Sequence, residues 1–442
     1  MKRVEQFIKN PKKALFILSG PLILGMIVQT LYNVIDTAFV GRIGADALAS
    51  ITFSFPLFFI LIALNAGIGS GMSSRIARYI GEKNIKAAEN TAIHGIIINL
   101  IIGAIILILS PFFLKPLLSL FGAENNILQL SIDYMSIIIY GIFFMFLVQA
   151  FSSIFSGQGD TKTTMKVQIS ALLINILLDY LFIIQFNWGV KGAALATIIS
   201  FFIAFILYLY YMKNSIIKIN LKKFIYKKQI LNDILVVGFP ASLMMFIISI
   251  YVIFINKYMV HFSYKHVAAF GIASRIDSIA MLPIVGLGIA LITLVGMFYG
   301  AKRYDLVKEI SWYSLKIGTL FSIIMAFIFL FLLEQVYFIF TNDAEVIKFG
   351  VEYMKINLIT FPLMASGMMI SRIMQGLGLG KPGLILSIIR IFVLAIPLGY
   401  IFIFILNYNH ISIAWAGVIG GLISSIVALI WLRYVFNNKK IN

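Results

Sequence analysis

Cysteine is missing from all 442 residues, which excludes disulfides, thiolate metal sites and cysteine nucleophiles. Histidine is scarce: His94, His261, His266 and His410 show no ligand spacing, and no serine–histidine constellation accompanies them. Charge is thin at 12%, against about a quarter in soluble proteins, and it is lopsided, with 35 Lys and Arg against 17 Asp and Glu. With 61% hydrophobic residues and a mean hydropathy of +1.01, the chain is too apolar for a soluble globule. A nucleotide-binding loop is also lacking. Gly376-Leu-Gly378-Leu-Gly380-Lys381-Pro382 looks like one, but Gln375 stands where its first glycine belongs and Pro382 where Ser or Thr must follow the lysine. That stretch predicts a turn, and ATP is not the direct energy source of this chain alone.

What is present is long apolar runs. A membrane-crossing helix needs ~20 mostly apolar residues, and twelve such spans lie near 14–39, 48–72, 91–114, 131–155, 166–186, 190–211, 234–258, 267–294, 311–333, 353–374, 384–406 and 412–435. The basic start from Met1 to Lys13 runs into a full-length span without a small-residue cleavage site, so the first span is expected to stay. The net charge of +18 would suggest nucleic acid on a soluble chain. Here it reads as cytoplasmic loops, which retain Lys and Arg. Lys2, Arg3, Lys9, Lys12 and Lys13 precede span 1; Arg75, Arg78, Lys83 and Lys86 follow span 2; Lys302, Arg303 and Lys308 follow span 8; Lys439 and Lys440 lie in the tail. Both termini are expected in the cytoplasm, the bilayer is the expected partner, and nucleic acid is not.

The chain contains itself twice. A shift of 219 residues carries Pro21 onto Pro240, Gly81 and Lys83 onto Gly300 and Lys302, Phe121 onto Phe340, and Gly157, Gly159 and Lys162 onto Gly376, Gly378 and Lys381. Six spans per repeat is an even number, so both repeats enter the membrane from the same side. The expected fold is all-α and integral to the membrane: twelve transmembrane helices in two parallel six-helix lobes, related by a pseudo-twofold axis along the membrane normal. The expected domains are 1–212, a cytoplasmic linker at 213–232, and 233–442. The linker is lysine-rich and amphipathic, with Ile216, Ile217, Ile219, Leu221, Phe224 and Ile225, and suits a short helix on the membrane surface. Gly67-Ile-Gly69-Ser-Gly71 reads as a close-packing helix face. Pro21 and Pro240 fall early in spans 1 and 7 and permit either a static kink or a hinge.

Three acids lie deep: Asp36, Asp179 and Asp277. A charge at a span centre costs ~2.5–3.5 kcal/mol, so such residues usually face a cavity and carry function. Gln29, Asn33 and Asp36 recur at i, i+4 and i+7, one polar stripe on an apolar helix. Asn175 and Asp179 share a face of span 5, and Thr197 lies in span 6. Convergence would bring together two carboxylates, an amide and a hydroxyl. That set suits a carboxylate that carries a proton at physiological pH, an all-oxygen cage for a hard cation such as Na⁺, or a polar cluster that only orders the helices. Asp277 differs: Arg275 stands two residues before it in span 8 and Arg390 lies within span 11, which favours a structural ion-pair cluster over a substrate or gating role.

These motifs together resemble the multidrug and toxic compound extrusion (MATE) family across nearly the whole chain. They are Pro21 with Gln29…Asn33-Val-Ile-Asp36-Thr37-Ala-Phe-Val-Gly41, Ala77-Arg-Tyr-Ile-Gly81, Gly157-Gln-Gly159-Asp160-Thr161, Asn175…Asp179 and Gly192-Ala-Ala-Leu-Ala-Thr197. The resemblance implies a non-enzymatic inner-membrane antiporter, expected as a monomer. It would expel amphipathic, cationic small molecules in exchange for H⁺ or Na⁺, with no other cofactor. In the archaeal and DinF-like branch it implies a coupling site, and possible Na⁺ ligands, at Asp36, Asn175, Asp179 and Thr197. It also implies a cavity lined by Gln29, Asn33 and Gln149, and bending at Pro21. Some sodium-coupled NorM-type members carry acids in spans 7 and 10; 234–258 and 356–374 have none, which concentrates coupling in the first lobe. The rival within the superfamily is a lipid-linked oligosaccharide flippase, which would want cationic side chains in its cavity.

Overall fold

A computed structural model describes residues 2–438, apart from the side chains of Lys2 and Asn33. Lys439 and Lys440, counted above among the cytoplasmic charges, lie outside the described residues. Helices follow one another almost without interruption: α1 (Lys2–Lys9), α2 (Pro11–Gly41), α3 (Ala45–Gly81), α4 (Ile85–Leu120), α5 (Asn125–Tyr140), α6 (Ile142–Gly157), α7 (Thr161–Asp179) and α8 (Gly189–Met212). After the linker come α9 (Lys228–Phe262), α10 (Tyr264–Gly300), α11 (Tyr304–Phe340), α12 (Ala344–Asn357), α13 (Thr360–Gly376), α14 (Lys381–Ile388), α15 (Ile396–Tyr400) and α16 (Ile411–Asn438). Ten helices or helix runs are long and apolar enough to cross a membrane alone. The pairs α5–α6 and α12–α13 bend by 52° and 51° and complete twelve as broken spans. The twelve expected spans are therefore present, two of them broken. Phe112 at 77% exposure and Ile108 at 68% typify an apolar exterior suited to lipid rather than water.

The repeat is legible in backbone detail. Lys83 and Lys302 both take left-handed φ values, 59° and 57°, where one helix ends and the next begins. Gly159 and Gly378 do so at 78° and 83°, conformations glycine adopts without a Cβ penalty. The stretch resembling a phosphate loop is this second turn, as expected. Wide π-helical turns at Tyr180–Gln185 and Ile401–Ile405 recur at matching places in the two repeats. A further π turn, Ile389–Ala395, precedes Pro397, whose missing N–H cannot close the regular ladder.

By contacts the chain forms two compact units whose boundaries fall inside helices rather than in the linker. Unit 1 runs over Gly20–Ser242; unit 2 comprises Lys2–Ser19 and the chain from Leu243 onward. The first two turns of α2 therefore belong to unit 2, where Phe16 meets Tyr313 edge-on at 6.5 Å and Lys12 lies 3.4 Å from Glu309. Amphipathic α1 joins the same unit by burying Val4 and Phe7. In unit 1 the glycine face of α3 packs as expected: a Cβ on Gly71 would lie 2.1 Å from the Ile234 carbonyl oxygen, and one on Gly67 2.6 Å from that of Gly238. Only glycine lets α3 and the start of α9 approach so closely.

The linker corrects an expectation. Instead of a surface helix it holds one three-residue 3₁₀ turn, Leu221–Lys223, in an otherwise irregular strap of turns, bends and open chain. Side chains of α4 satisfy its backbone in place of helical bonds. The Asn90 amide donates to the Ile225 carbonyl at 2.8 Å and accepts from the Ile225 N–H at 3.3 Å. His94 Nε2 accepts from the Lys227 N–H at 3.0 Å, while Phe224 and Tyr226 pack on the His94 ring at 4.8 and 5.9 Å.

Candidate functional site

In unit 1, α2 brings Asp36 and α7 brings Asn175 and Asp179, i and i+4 on one face. Asp179 is the last α-helical residue before the π turn at Tyr180, a junction often found at functional sites. Asp36 is 8% exposed and Asp179 0%, and Asn175 and Thr197 are also buried. The two carboxylates lie within electrostatic reach of each other. Asp36 Oδ1, both Asp179 oxygens and both amide atoms of Asn175 have no hydrogen-bond partner among the described residues. A buried polar atom left unpaired costs ~1–3 kcal/mol, more when charged. Such a cluster can hold a proton between carboxylates, or a hard monovalent cation on oxygen ligands alone.

Two tyrosines complete the site, and sequence reasoning did not single them out for it. Tyr32, one turn before Asp36, shares a 3.0 Å hydrogen bond with the Thr197 hydroxyl and so ties α2 to α8. Tyr134 of α5 lies within electrostatic reach of both carboxylates. Tyr32 at i−4 from Asp36 was the available signal; nothing in the sequence around Tyr134 pointed to the site.

The remaining expected residues are placed differently. Gln29 is exposed on α2, and Gln149 is half-buried on α6 where its amide backs onto Gly69 of α3. The Asn33 side chain lies outside the described residues. Pro21 sits within α2, which runs unbroken through it, two residues past the point where that helix changes unit. The ion-pair cluster expected in the second half does not form. Among the described residues Asp277 makes no ion pair with Arg275 or Arg390, and its partner is the Asn357 amide. Arg275 instead lies 5.5 Å over the Phe340 ring.

Long apolar helices around a buried, ionisable, unpaired cluster define a multi-pass membrane transporter. The MatE family profile matches residues 21–181 and again 240–401, so the chain belongs to the MATE family, whose members are transporters and not enzymes. It is 27% identical over 441 residues to the probable multidrug resistance protein YoeA of Bacillus subtilis (strain 168), covering 95% of this chain and 93% of that one. Among solved structures it is 32% identical, with a TM-score of 0.94, to a MOP superfamily transporter from Pyrococcus furiosus; the match covers 99% of this chain and 98% of that one. That protein is described as having a binding pocket of reverse polarity that suggests a different function. A multidrug resistance MATE transporter solved in an outward-facing conformation matches at 31% identity and a TM-score of 0.94, covering 100% of this chain and 99% of that one.

Proposed function

We propose that this chain is a multidrug efflux antiporter that exchanges amphipathic cations for H⁺ or Na⁺ across the cell membrane, with both termini cytoplasmic. The observation that carries the reading is the pairing of Asp36 and Asp179, buried beside Asn175 with their oxygens unpartnered. Such a site prefers to be occupied by one positive charge. By linkage, a cation bound there favours one arrangement of the transporter, and an expelled cation must favour or complete the other. Asp36 and Asp179 would carry the charge, with Asn175 and Thr197 supplying neutral oxygens to Na⁺ if that is the ion. Tyr32 would hold Thr197 in place. Gln29, Asn33 and Gln149 would line the path of the substrate.

Pro21 suits a hinge. It cannot donate to the Ile17 carbonyl, it follows Gly20, and it stands where α2 passes from one unit to the other. The multidrug resistance of the relatives supports the substrate class. The flippase alternative finds no basic side chain among the unit 1 site residues to meet a pyrophosphate.

The test is efflux of a fluorescent cationic dye from proteoliposomes, with a pH gradient and a Na⁺ gradient imposed separately. One gradient is expected to drive wild-type efflux, and Asp36→Asn to abolish it in folded protein. An Asp36→Asn protein that exports normally sinks this coupling site.

A further inference from the structure

Unit 2 contains a second polar cluster that this coupling site leaves unused. Asp277 extends from α10, and its two oxygens accept from the Asn357 amide at 2.9 and 3.2 Å. Asn357 ends α12 at the broken span, and its carbonyl accepts from Thr360 Oγ1 of α13 at 2.6 Å. The carboxylate is therefore anchored at a helix break. Arg390 stands on the π turn Ile389–Ala395, half-buried and without an ion pair or hydrogen bond among the described residues. Tyr251 of α9 lies within electrostatic reach of both charges. Its hydroxyl and the Thr360 methyl face Gly417 of α16, where a Cβ would lie 3.6 Å from the one and 3.9 Å from the other.

Opposite charges in an apolar interior attract strongly, and each is tolerated best when it closes on its partner. Asp277 and Arg390 do not close. Asp277 is held through Asn357 at the break between α12 and α13, Arg390 stands on a π turn where its carbonyl backs onto Gly420, one turn along α16 from Gly417, and Tyr251 lies within electrostatic reach of both. The two repeats also diverge here in a consistent way. Tyr251 and Tyr353 are the repeat mates of Tyr32 and Tyr134 under the 219-residue shift. The tyrosine pair is thus kept, while the charges around it differ. In unit 1 it lies within electrostatic reach of two acids, Asp36 and Asp179. In unit 2 it flanks one acid, and Tyr251 lies near one base.

We propose that Asp277, Arg390 and Tyr251 form a ligand subsite for amphipathic zwitterions. The cationic centre of the ligand meets Asp277, its carboxylate meets the Arg390 guanidinium fork, and Tyr251 lies against the apolar body between them. The physiological use of the subsite rests on the chain being a transporter of amphipathic molecules. The binding does not require ion coupling.

The probe is rhodamine B, which carries a delocalised cation and a free carboxylate, compared with its ethyl ester, which keeps only the cation. Binding to purified full-length protein in nanodiscs is followed by fluorescence anisotropy, with no ion gradient. Wild type is expected to prefer the free acid. Arg390→Gln should weaken the free acid about ten- to a hundredfold and leave the ester nearly unchanged, and Arg390→Lys should restore part of the preference. Asp277→Asn should weaken both dyes. Wild type that does not bind rhodamine B, or an acid-to-ester ratio unchanged in monodisperse Arg390→Gln or Arg390→Lys protein, overturns the subsite. Loss of gradient-driven efflux with the ratio retained would instead refute the antiport reading and leave the subsite standing.

Discussion

The Tyr32 hydroxyl lies 3.0 Å from the Thr197 hydroxyl and joins α2 to α8 beside two buried carboxylates. Tyr32→Phe removes that bond while keeping the ring. It is expected to lower stability by about 0.5–1.5 kcal/mol and to slow dye efflux without abolishing it. Thermal melting and proteoliposome efflux read the two effects separately. Efflux equal to wild type would mean that Tyr32 orders the helices and does nothing for the site.

Gly71 permits the backbone of α3 to touch α9 within unit 1. A Cβ there would lie 2.1 Å from the Ile234 carbonyl, an atom that cannot swing away. Gly71→Ala is expected to cost about 1–3 kcal/mol, and Gly71→Val more. Gly271, whose added Cβ would meet nothing within 4 Å, is the control. Similar melting temperatures for Gly71→Ala and Gly271→Ala would show that this approach relaxes cheaply.

The strap before α9 is held by Asn90 and His94. Asn90→Ala loses both bonds to Ile225. Lys222 and Lys223 are already exposed on the 3₁₀ turn, so tryptic cleavage there should accelerate roughly tenfold. An unchanged cleavage rate would place the restraint elsewhere, on Ser215 Oγ and its 2.8 Å bond to Gln158.

His410, in the turn before α16, is buried and lies 3.6 Å from Glu352. Burial pushes its imidazole below the ordinary histidine range, against the opposing pull of the Glu352 carboxylate. His266, 4.6 Å away ring to ring and stacked on Phe349 at 3.9 Å, is the other titratable group facing it. As pH falls, the unfolded histidine protonates first, near about 6.5, and the folded one later. Stability is therefore full above the unfolded value, declines as pH drops through it, and levels off below the folded value. Between pH 7.5 and 5.5, wild type should lose more melting temperature than His410→Gln. Parallel curves would assign the acid sensitivity to another group.

Much of the candidate cluster in unit 1 was legible in the sequence because a charge inside an apolar run is conspicuous. Asp36 and Asp179 stand out on that ground, and Asn175 follows from one-turn spacing. Tyr32 and Tyr134 did not stand out, since tyrosine is at home in a membrane span and only proximity distinguishes these two. The Asp277–Arg390 expectation failed for a related reason. Helical spacing says which residues share a face of one helix, but not how far that face stands from a π turn on another. The linker failed differently: its apolar period suited a helix, yet Asn90 and His94 offered its backbone better partners. His266 and His410 are distant in sequence and in ring contact in space.

Composition and the 219-residue repeat by themselves determined that this chain is a helical membrane protein built twice, since apolar length and periodicity are local properties. Tertiary structure alone decided which charges meet. It placed Asp36 within electrostatic reach of Asp179 in unit 1 and, among the described residues, left Asp277 and Arg390 without an ion pair in unit 2. It also moved the boundary between units into α2 and α9. The reason is physical: in an apolar medium a charge is governed by whatever lies within a few ångströms of it, and that neighbourhood is assembled from helices far apart in the chain.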